Sequence, residues 1–445
     1  MRRMARTTTS VVSVVAVAAL VAACGAGKSR DDGDRGDVGS TVGVTDTTIK
    51  LGGTFPLTGL AAPGYSEIPD GAQAYYKFIN AHGGVYGRKI EYLVKDDAYN
   101  PTNTSTVTNE LVQQSQVFAM VGSLGTPTHN AVVDRLNGEK IPDLFVTSGA
   151  PWGNNVADQP MTFGWQPDYE IEGKIAAHYV KQHMPTARVG LFLQDDDIGQ
   201  FAEKGVREIL GAGQIVSVQK YTAGTEDVGP QIAALQAAKP DIVLAFNLIQ
   251  YTALSQLVAL KLNFHPTWYY GGTGSNPQFV GEFLDEYSDG KVKGTSLLDG
   301  VLSTKYMPVT SDTGDPWTRL WEKIWKQYGN GRPLNSFDMY GFSQAYSVVS
   351  ALLAAGKNLT RERVVTVIEK AGASWPSPAY GRFRWSKESH QGMNGLEVIE
   401  FKDGVGVPKT PVLVTDVGDA AITEDDSAAD DAPPTDGMPD VDVVG

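Results

Sequence analysis

Three short segments rich in glycine, serine and threonine contain the residues best suited to binding a ligand. They are residues 56–59, 123–127 and 147–152. Exposed backbone N–H groups and side-chain hydroxyls in such loops donate hydrogen bonds to a small anion such as a carboxylate. Turn formation alone favours the same residue types, so a single loop of this kind would say little. Three of them together favour an anion-binding site.

Other kinds of chemistry find no support in the sequence. None of the six histidines lies in a zinc-binding HExxH pattern, and there is no Gly-x-Ser-x-Gly nucleophile motif and no Walker lysine. The single cysteine, Cys24, excludes internal disulfides, iron–sulfur clusters and thiolate zinc sites. Residues 195–199 begin like a calcium loop, but their glycine is one position early and no glutamate stands at the twelfth place. We therefore predict a protein that is not an enzyme and that holds no metal or cofactor.

The elements that must position these loops alternate between strand and helix. Apolar residues make up 42% and charged residues 20% of the 445-residue chain, which is enough for a buried core. Hydrophobic periodicity predicts strands at 49–55, 90–94, 118–121, 144–147, 189–193, 215–221, 242–246 and 268–270. It predicts helices at 70–81, 103–114, 127–136, 169–183, 198–210, 228–238 and 251–262, and mainly helices over 316–370.

This alternation predicts an α/β fold in which helices cover both faces of parallel sheets. The pattern restarts after residue 165, which indicates two similar lobes. In such sheets a ligand binds beyond the carboxyl ends of the strands, where the three small-residue loops are expected to lie.

The amino terminus has the pattern of an export signal. Arg2, Arg3 and Arg6 precede an apolar run over residues 11–23 that is too short for a membrane span. The run ends in Val-Ala-Ala-Cys-Gly at residues 21–25, which resembles a bacterial lipoprotein signal. That resemblance implies cleavage before Cys24 and attachment of lipid to it. We expect a signal peptide at 1–23, a flexible tether at 24–46 and a protein anchored on the extracytoplasmic side of the cell membrane.

The charge of the chain is concentrated at the carboxyl end. The formal net charge is −14, and after Lys409 there are ten acidic residues and no lysine or arginine. Such a composition predicts a disordered acidic tail over residues 411–445. Without a basic patch, nucleic acid is not expected as a partner.

Several segments, in order, resemble the branched-chain amino acid (Leu/Ile/Val) binding protein family. These are residues 48–59, 79–90, 96–97, 119–123, 141–142, 195–199 and 240–244. The resemblance implies the type I periplasmic-binding-protein fold, in which two lobes are joined by a three-crossover hinge. It places lobe 1 at 47–165 and 300–374, and lobe 2 at 166–299 and 375–410.

The resemblance also implies a ligand site between the lobes. In the family, lobe 1 holds a carboxylate through amides and hydroxyls of two loops, which correspond here to Gly125, Thr126, Gly149 and Ala150. The composition of the same loops adds Thr147 and Ser148 as neighbours. The corresponding positions of lobe 2 are Tyr169, Ile198, Phe246, Asn247 and Thr273.

Two departures from the family leave the ligand open. Amino-acid binders usually have an acidic residue near Thr273, which accepts the ammonium, and a tyrosine near Ile198, and neither is present here. A buried ammonium without a carboxylate partner is costly. The ligand is therefore either a small amino acid, with residues 195–197 as alternative acidic partners, or an organic or aromatic carboxylate. Trp152, Trp165 or Tyr169 would stack on an aromatic ligand.

The expected function is that of a substrate-binding lipoprotein of an ABC importer. Its partners would be a small-molecule ligand and a membrane permease, with the ATPase as a separate subunit. Ligand contacts to both lobes would favour hinge closure. The alternative is a ligand-sensing receptor lipoprotein that signals to a membrane partner, since a sensor would have the same fold and pocket.

Overall fold

The computed structural model describes residues 41–59, 61–425, 427 and 431–445. The predicted signal peptide, the lipidation site Cys24 and most of the predicted tether lie outside these residues. Over the described ranges, no helix is both long enough and apolar enough to cross a membrane. The predicted α/β fold is confirmed, with parallel strands flanked by helices in two lobes.

The strands belong to two separate sheets, one in each lobe. Their bounds are β1 Thr48–Phe55, β2 Lys89–Asp96, β3 Ala119–Val121, β4 Asp143–Val146, β5 Thr162–Gly164, β6 Val189–Gln194, β7 Ile215–Tyr221, β8 Ile242–Phe246, β9 Thr267–Tyr270, β10 Leu302–Lys305, β11 Gly395–Lys402, β12 Val405–Pro408, β13 Leu413–Val414 and β14 Thr423–Glu424. Inner strands of each sheet, such as β3 and β8, are buried throughout. Burial of both faces explains why they read as continuous apolar runs.

The α-helices flank the sheets. Their bounds are α1 Ile68–Ala81, α2 Pro101–Asn109, α3 Thr126–Asn130, α4 Val133–Gly138, α5 Tyr169–His183, α6 Asp197–Ile209, α7 Gly229–Ala238, α8 Ile249–Leu262, α9 Pro277–Tyr287, α10 Pro316–Tyr328, α11 Ser336–Ala354 and α12 Arg361–Ala371. The predicted helix at 127–136 is divided into α3 and α4. The predicted helix at 103–114 changes to a wider π turn at its carboxyl end.

The two sheets differ in strand direction. In lobe 1 all strands are parallel, in the order β2-β1-β3-β4-β5. In lobe 2 the strands β7-β6-β8-β9-β10 are parallel, but β11 to β14 run antiparallel at one edge. No strand of this antiparallel edge was expected from the sequence, although β11 has eight residues; β13 and β14 have only two each.

Helix α1 packs closely on α11 in lobe 1. A Cβ on Gly71 would lie 1.9 Å from the carbonyl oxygen of Asp338, and a Cβ on Gly341 would lie 1.9 Å from the carbonyl oxygen of Ile68. Only glycine permits this approach of two backbones. The contact fixes the start of α11 against the start of α1, at the edge of the cleft between the lobes.

The structure moves two of the expected lobe boundaries. The strand β10 belongs to the sheet of lobe 2, where it pairs with β9 and β11, so the chain leaves that lobe after Lys305 and not at residue 300. Residues 375–394 pack on lobe 1 before β11 begins. There the Trp385 indole donates a hydrogen bond to the Gly164 carbonyl (2.9 Å), and its ring stacks on Phe145.

The carboxyl-terminal segment differs from the predicted disordered tail. Its strands β13 and β14 extend the sheet of lobe 2. The buried ammonium of Lys174 donates hydrogen bonds to the carbonyl oxygens of Asp416, Gly418 and Ala420 at 2.6, 2.6 and 3.0 Å. The acidic side chains of this segment gave no indication that its backbone carbonyls accept hydrogen bonds from a buried cation.

The same segment then reaches lobe 1. The Trp317 indole donates to the Asp431 carbonyl (2.6 Å), and the Tyr75 hydroxyl donates to the Gly437 carbonyl (2.9 Å). Arg382 pairs with the Asp431 carboxylate at 2.9 Å. The tail therefore contacts both lobes and connects them a fourth time, in addition to the three crossovers.

Candidate functional site

The cleft between the lobes encloses a cavity of about 60 Å³. Its lobe 1 wall includes Gly125, Thr126 and Thr147, and its lobe 2 wall includes Tyr169, Ile198 and Thr273. These six residues were among those expected at a ligand site. Each follows the carboxyl end of a strand or lies at the start of a helix, so the cavity occupies the position typical of α/β ligand sites.

Two hydroxyl residues of the cavity wall, Thr126 and Tyr169, form a cluster with Ser148, which lies behind the wall. The Thr126 Oγ1 is hydrogen bonded to the Ser148 Oγ at 2.7 Å and lies 3.4 Å from the Tyr169 hydroxyl oxygen. The backbone N–H of Ala150 donates to the Ser148 Oγ at 3.1 Å. All three hydroxyl-bearing residues are buried. Because hydroxyl protons rotate, the cluster can turn its donors toward an anion in the cavity.

The loop that carries Thr126 depends on a special backbone conformation. Gly125 has φ +111°, which residues with a side chain rarely adopt. Behind it, the Thr128 hydroxyl donates to the Leu124 carbonyl at 2.9 Å. The Thr147 hydroxyl of the next loop is already used, since it donates to the Gly122 carbonyl and accepts from the Gln344 amide, both at 2.8 Å. Of the lobe 1 residues expected at the site, Thr126 therefore has the lining hydroxyl that is left to meet a ligand, and the Ser148 hydroxyl supports it from behind.

Tyr169 links the two lobes at the start of α5. Its backbone N–H donates to the Gly149 carbonyl of lobe 1 at 2.8 Å, and Asp168 caps the helix by accepting the Glu170 N–H at 2.7 Å. Burial raises the pKa of the Tyr169 hydroxyl. The phenol therefore stays protonated near neutral pH and is able to donate a hydrogen bond to a ligand.

Asp168 lies in the first crossover between the lobes and is buried. Burial raises the pKa of its carboxyl from 3.8 to about 7, although hydrogen bonds from Glu170 and Asn154 partly oppose the shift. The folded protein therefore holds this proton more tightly than the unfolded chain. This carboxyl therefore contributes to the free energy of unfolding at low pH, and the contribution is lost as pH rises from about 4 to about 7.

We expect Asp168→Asn to reduce this pH dependence, because asparagine keeps a capping oxygen and cannot ionise. The measurement is the change in melting temperature between pH 5 and pH 8, which should be smaller in the variant than in the wild type. Asp158→Asn, which removes an exposed carboxylate, is the control and should behave like the wild type. An identical pH dependence in all three proteins would contradict the raised pKa.

Direct contacts join the lobes around the cavity. The Tyr65 hydroxyl of lobe 1 donates to the Thr273 carbonyl of lobe 2 at 2.8 Å. The Asn130 amide of α3 donates to the Asp197 carboxylate of α6 at 2.5 Å. The structure therefore describes the lobes in contact, with the cavity enclosed between them.

Other expected site residues lie beside the cavity and support its walls. The Trp152 ring packs against His129, with ring centroids 4.8 Å apart, and its indole donates to the Asn130 side chain. The Trp165 indole is fully buried and donates to the Ser347 hydroxyl at 3.1 Å. Neither ring is therefore placed to stack on a ligand.

The expected lobe 2 residues Phe246 and Asn247 also lie behind the wall. Phe246 is buried at the end of β8. The Asn247 amide donates to the Leu248 carbonyl (2.8 Å) and to the Thr252 hydroxyl (2.7 Å), which shapes the loop before α8. Leu248, the next residue, is the one that lines the cavity.

Besides Tyr169, the aromatic wall consists of five residues that were not expected from the sequence, namely Tyr65, Tyr99, Tyr306, Phe337 and Tyr340. Tyr65 and Tyr99 follow β1 and β2, so inspection of every loop after a strand would have found them. Phe337 and Tyr340 come from α11, far along the chain. Nothing in their local sequence indicates that they face the cleft.

The cavity wall carries no charge among the described residues that line it. Two acids lie just behind it. The Glu172 carboxylate accepts the Gly272 N–H at 2.6 Å and the Thr304 hydroxyl, and the Asp196 carboxylate accepts the Ile198 N–H at 2.9 Å. Burial raises the pKa of both carboxyls. The part of the chain that the structure describes contains no group of three or more acidic, histidine or cysteine side chains that could hold a metal.

Comparison with known proteins agrees with this architecture. A family model described as periplasmic binding protein matches residues 48–405. An amino acid binding protein from Pseudomonas aeruginosa is 26% identical over 218 residues, covering 46% of this chain and 54% of that protein. The Leu/Ile/Val-binding protein BraC3 from Rhizobium johnstonii is 27% identical over 199 residues, covering 44% and 53%. These matches span about half the length of either relative.

Solved structures show the same fold. A possible leucine/isoleucine/valine-binding protein from Rhodopirellula baltica has a TM-score of 0.71 at 18% identity, covering 85% of this chain and 98% of that one. A fatty acid ABC transporter substrate-binding protein from Thermomonospora curvata has a TM-score of 0.68 at 23% identity, covering 89% and 97%. At these identities the likeness concerns the fold. With a family model that matches most of its length, this chain belongs to the periplasmic binding protein family.

Proposed function

We propose that this chain is the solute-binding lipoprotein of an ABC importer, which captures a small carboxylate between its lobes and delivers it to a membrane permease. The observation that carries the proposal is the pair of Thr126 and Tyr169 hydroxyls, backed by Ser148, in an uncharged, aromatic cavity between two lobes. Neutral donors of this kind bind a carboxylate without requiring a buried counter-cation. The ATPase that drives transport would be a separate subunit.

The wall of the cavity favours an organic or aromatic carboxylate over an α-amino acid. An ammonium group in this cavity would meet tyrosine hydroxyls and no carboxylate, because Glu172 and Asp196 already accept hydrogen bonds from the backbone. Burying a charge without a partner is strongly unfavourable. The names of the relatives from Pseudomonas aeruginosa and Rhizobium johnstonii keep small amino acids among the candidates.

Hinge closure is the proposed mechanism of capture. A ligand held by Thr126 of lobe 1 and Tyr169 of lobe 2 binds the closed form more tightly than an open one, and this difference shifts the equilibrium toward closure. The Tyr65–Thr273 and Asn130–Asp197 contacts would form in the same step. The permease would then recognise the closed lobes, and loss of the protein should abolish uptake of its ligand.

A thermal-shift screen of the purified protein against amino acids, aromatic acids and short aliphatic acids tests the proposal. A ligand present at 100 times its dissociation constant adds about 2.7 kcal/mol to the free energy of unfolding, which raises the melting temperature measurably. Stabilisation by carboxylates but not by the corresponding amides is the expected result. No stabilisation by any carboxylate would contradict the proposal.

The lipid anchor is tested separately. We expect Cys24→Ser to move the protein from the membrane fraction to the soluble extracytoplasmic fraction, because a lipid chain attached to this residue would otherwise retain it. The measurement is immunoblotting of fractionated cells that express either form. Retention of the variant in the membrane fraction would contradict lipidation at Cys24.

A further inference from the structure

A second cavity of about 210 Å³ adjoins the ligand cavity between the lobes. Gly272, Tyr306, Phe337 and Tyr340 line both cavities. The first cavity measures about 60 Å³. Sites for small molecules usually measure about 300–1,000 Å³. The first cavity alone is therefore smaller than a usual ligand site, and a ligand of ordinary size would extend beyond it.

The partition between the two cavities is aromatic. The Phe337 ring lies edge-on between Tyr65 and Phe279, with ring centroids 5.2 and 5.3 Å away. The Tyr306 hydroxyl makes no hydrogen bond to any residue that the structure describes, so its ring can turn without breaking one. The boundary thus consists of aromatic side chains, and the Tyr306 hydroxyl has no hydrogen bond, among the described residues, to hold its ring in place.

The second cavity suits an uncharged chain. Its apolar surface includes Val309, Ile399 and Phe401. Its one charged lining group among the described residues, the Lys305 ammonium, is neutralised by the Asp312 carboxylate at 2.7 Å. A second charged group on the ligand would find no unpaired partner here, whereas methylene groups would be removed from water.

We propose that this second cavity is a chamber for the tail of an elongated ligand, a linear aliphatic monocarboxylate. The carboxylate would lie at the Thr126 and Tyr169 hydroxyls, and the chain would pass between Tyr306 and Phe337 into the chamber. This inference rests on the proposed function, because it takes the hydroxyl cluster as the carboxylate site. To that proposal the inference adds that the ligand is elongated and that the rest of it is uncharged and apolar.

Calorimetry of the full protein with butanoate, hexanoate, octanoate and decanoate tests the inference. Each methylene buried in the chamber should tighten binding about fourfold, the equivalent of about 0.8 kcal/mol. We therefore expect the dissociation constant to fall steadily along the series until the chamber is full. Equal affinities from butanoate to decanoate would overturn the chamber while leaving the carboxylate site in place. If none of the four acids binds, the inference fails, and the thermal-shift screen decides separately whether the proposed function stands.

A substitution that fills the chamber with a larger side chain gives an independent test. Val309→Trp should weaken octanoate binding by about 16-fold or more, the effect of excluding two methylenes, and should leave butanoate unchanged. The matched control is Val407→Trp, which places the same side chain on the exposed strand β12 and should bind both acids normally. Wild-type affinity for octanoate in a folded Val309→Trp protein would overturn the proposal. The chain-length series on the wild type decides the matter if this variant does not fold.

Discussion

Gly125→Ala is expected to abolish ligand binding and to lower the free energy of unfolding by about 2–5 kcal/mol. The φ of +111° at this position is unfavourable for any residue with a Cβ. The new Cβ would also lie 2.3 Å from the Thr128 Oγ1 and 2.7 Å from a ring carbon of Tyr99. Relief of these overlaps must move the loop that carries Thr126. Chemical denaturation and ligand titration measure the two effects.

Gly83→Ala separates the effect of an unfavourable φ from the effect of steric overlap. Gly83 also has positive φ, +103°, but nothing lies within 4 Å of the position of its Cβ. This variant should therefore lose only the conformational contribution, about 1–2 kcal/mol, and should bind ligand like the wild type. If the two glycine variants lost the same free energy of unfolding, steric overlap at Gly125 would not contribute to the loss.

Tyr169→Ala is expected to weaken ligand binding by about 1–3 kcal/mol, or 5- to 150-fold. The substitution removes a hydroxyl that lies 3.4 Å from the Thr126 Oγ1, together with a ring that forms part of the lobe 2 wall. Tyr169→Phe should show a smaller loss, because it removes the hydroxyl alone. Isothermal titration with a carboxylate found in the screen provides the measurement.

The matched control for Tyr169→Ala lies on the same helix. Tyr179 is also buried on α5, but its ring packs on His183, 4.4 Å between centroids, away from the cavity. We expect Tyr179→Ala to lower stability without changing affinity. Unchanged affinity in a folded Tyr169→Ala protein would remove Tyr169 from the ligand site.

The sequence alone predicted those residues of the candidate site that directly follow a recognisable strand. The loops of Gly125 and Thr147 could be found because small and hydroxyl residues follow directly after predicted strands. Tyr306 could not be found in this way, since it follows β10, whose sequence Leu-Ser-Thr-Lys lacks a strand-like apolar pattern. The burial of β10 depends on its neighbours β9 and β11, and β11 comes about ninety residues later in the chain.

The carboxyl-terminal segment shows a different limit of sequence reasoning. Its acidic composition indicated disorder. Composition describes only the side chains, however, and the groups that order this segment are backbone carbonyl oxygens that accept hydrogen bonds. The binding partner of those acceptors is Lys174, more than 240 residues earlier in the sequence. A long-range contact of this kind leaves no pattern in either segment.

That segment has a consequence for how the protein responds to ligand concentration. Because it contacts lobe 2 near Lys174 and lobe 1 at Trp317 and Tyr75, this segment limits how far the lobes can separate while these bonds remain. The apparent dissociation constant is the intrinsic constant divided by the fraction of molecules in the binding-competent form. Residues that never touch the ligand thereby help to set that fraction. Changes in the tail could then adjust the working concentration range of the protein while its choice of ligand stays the same.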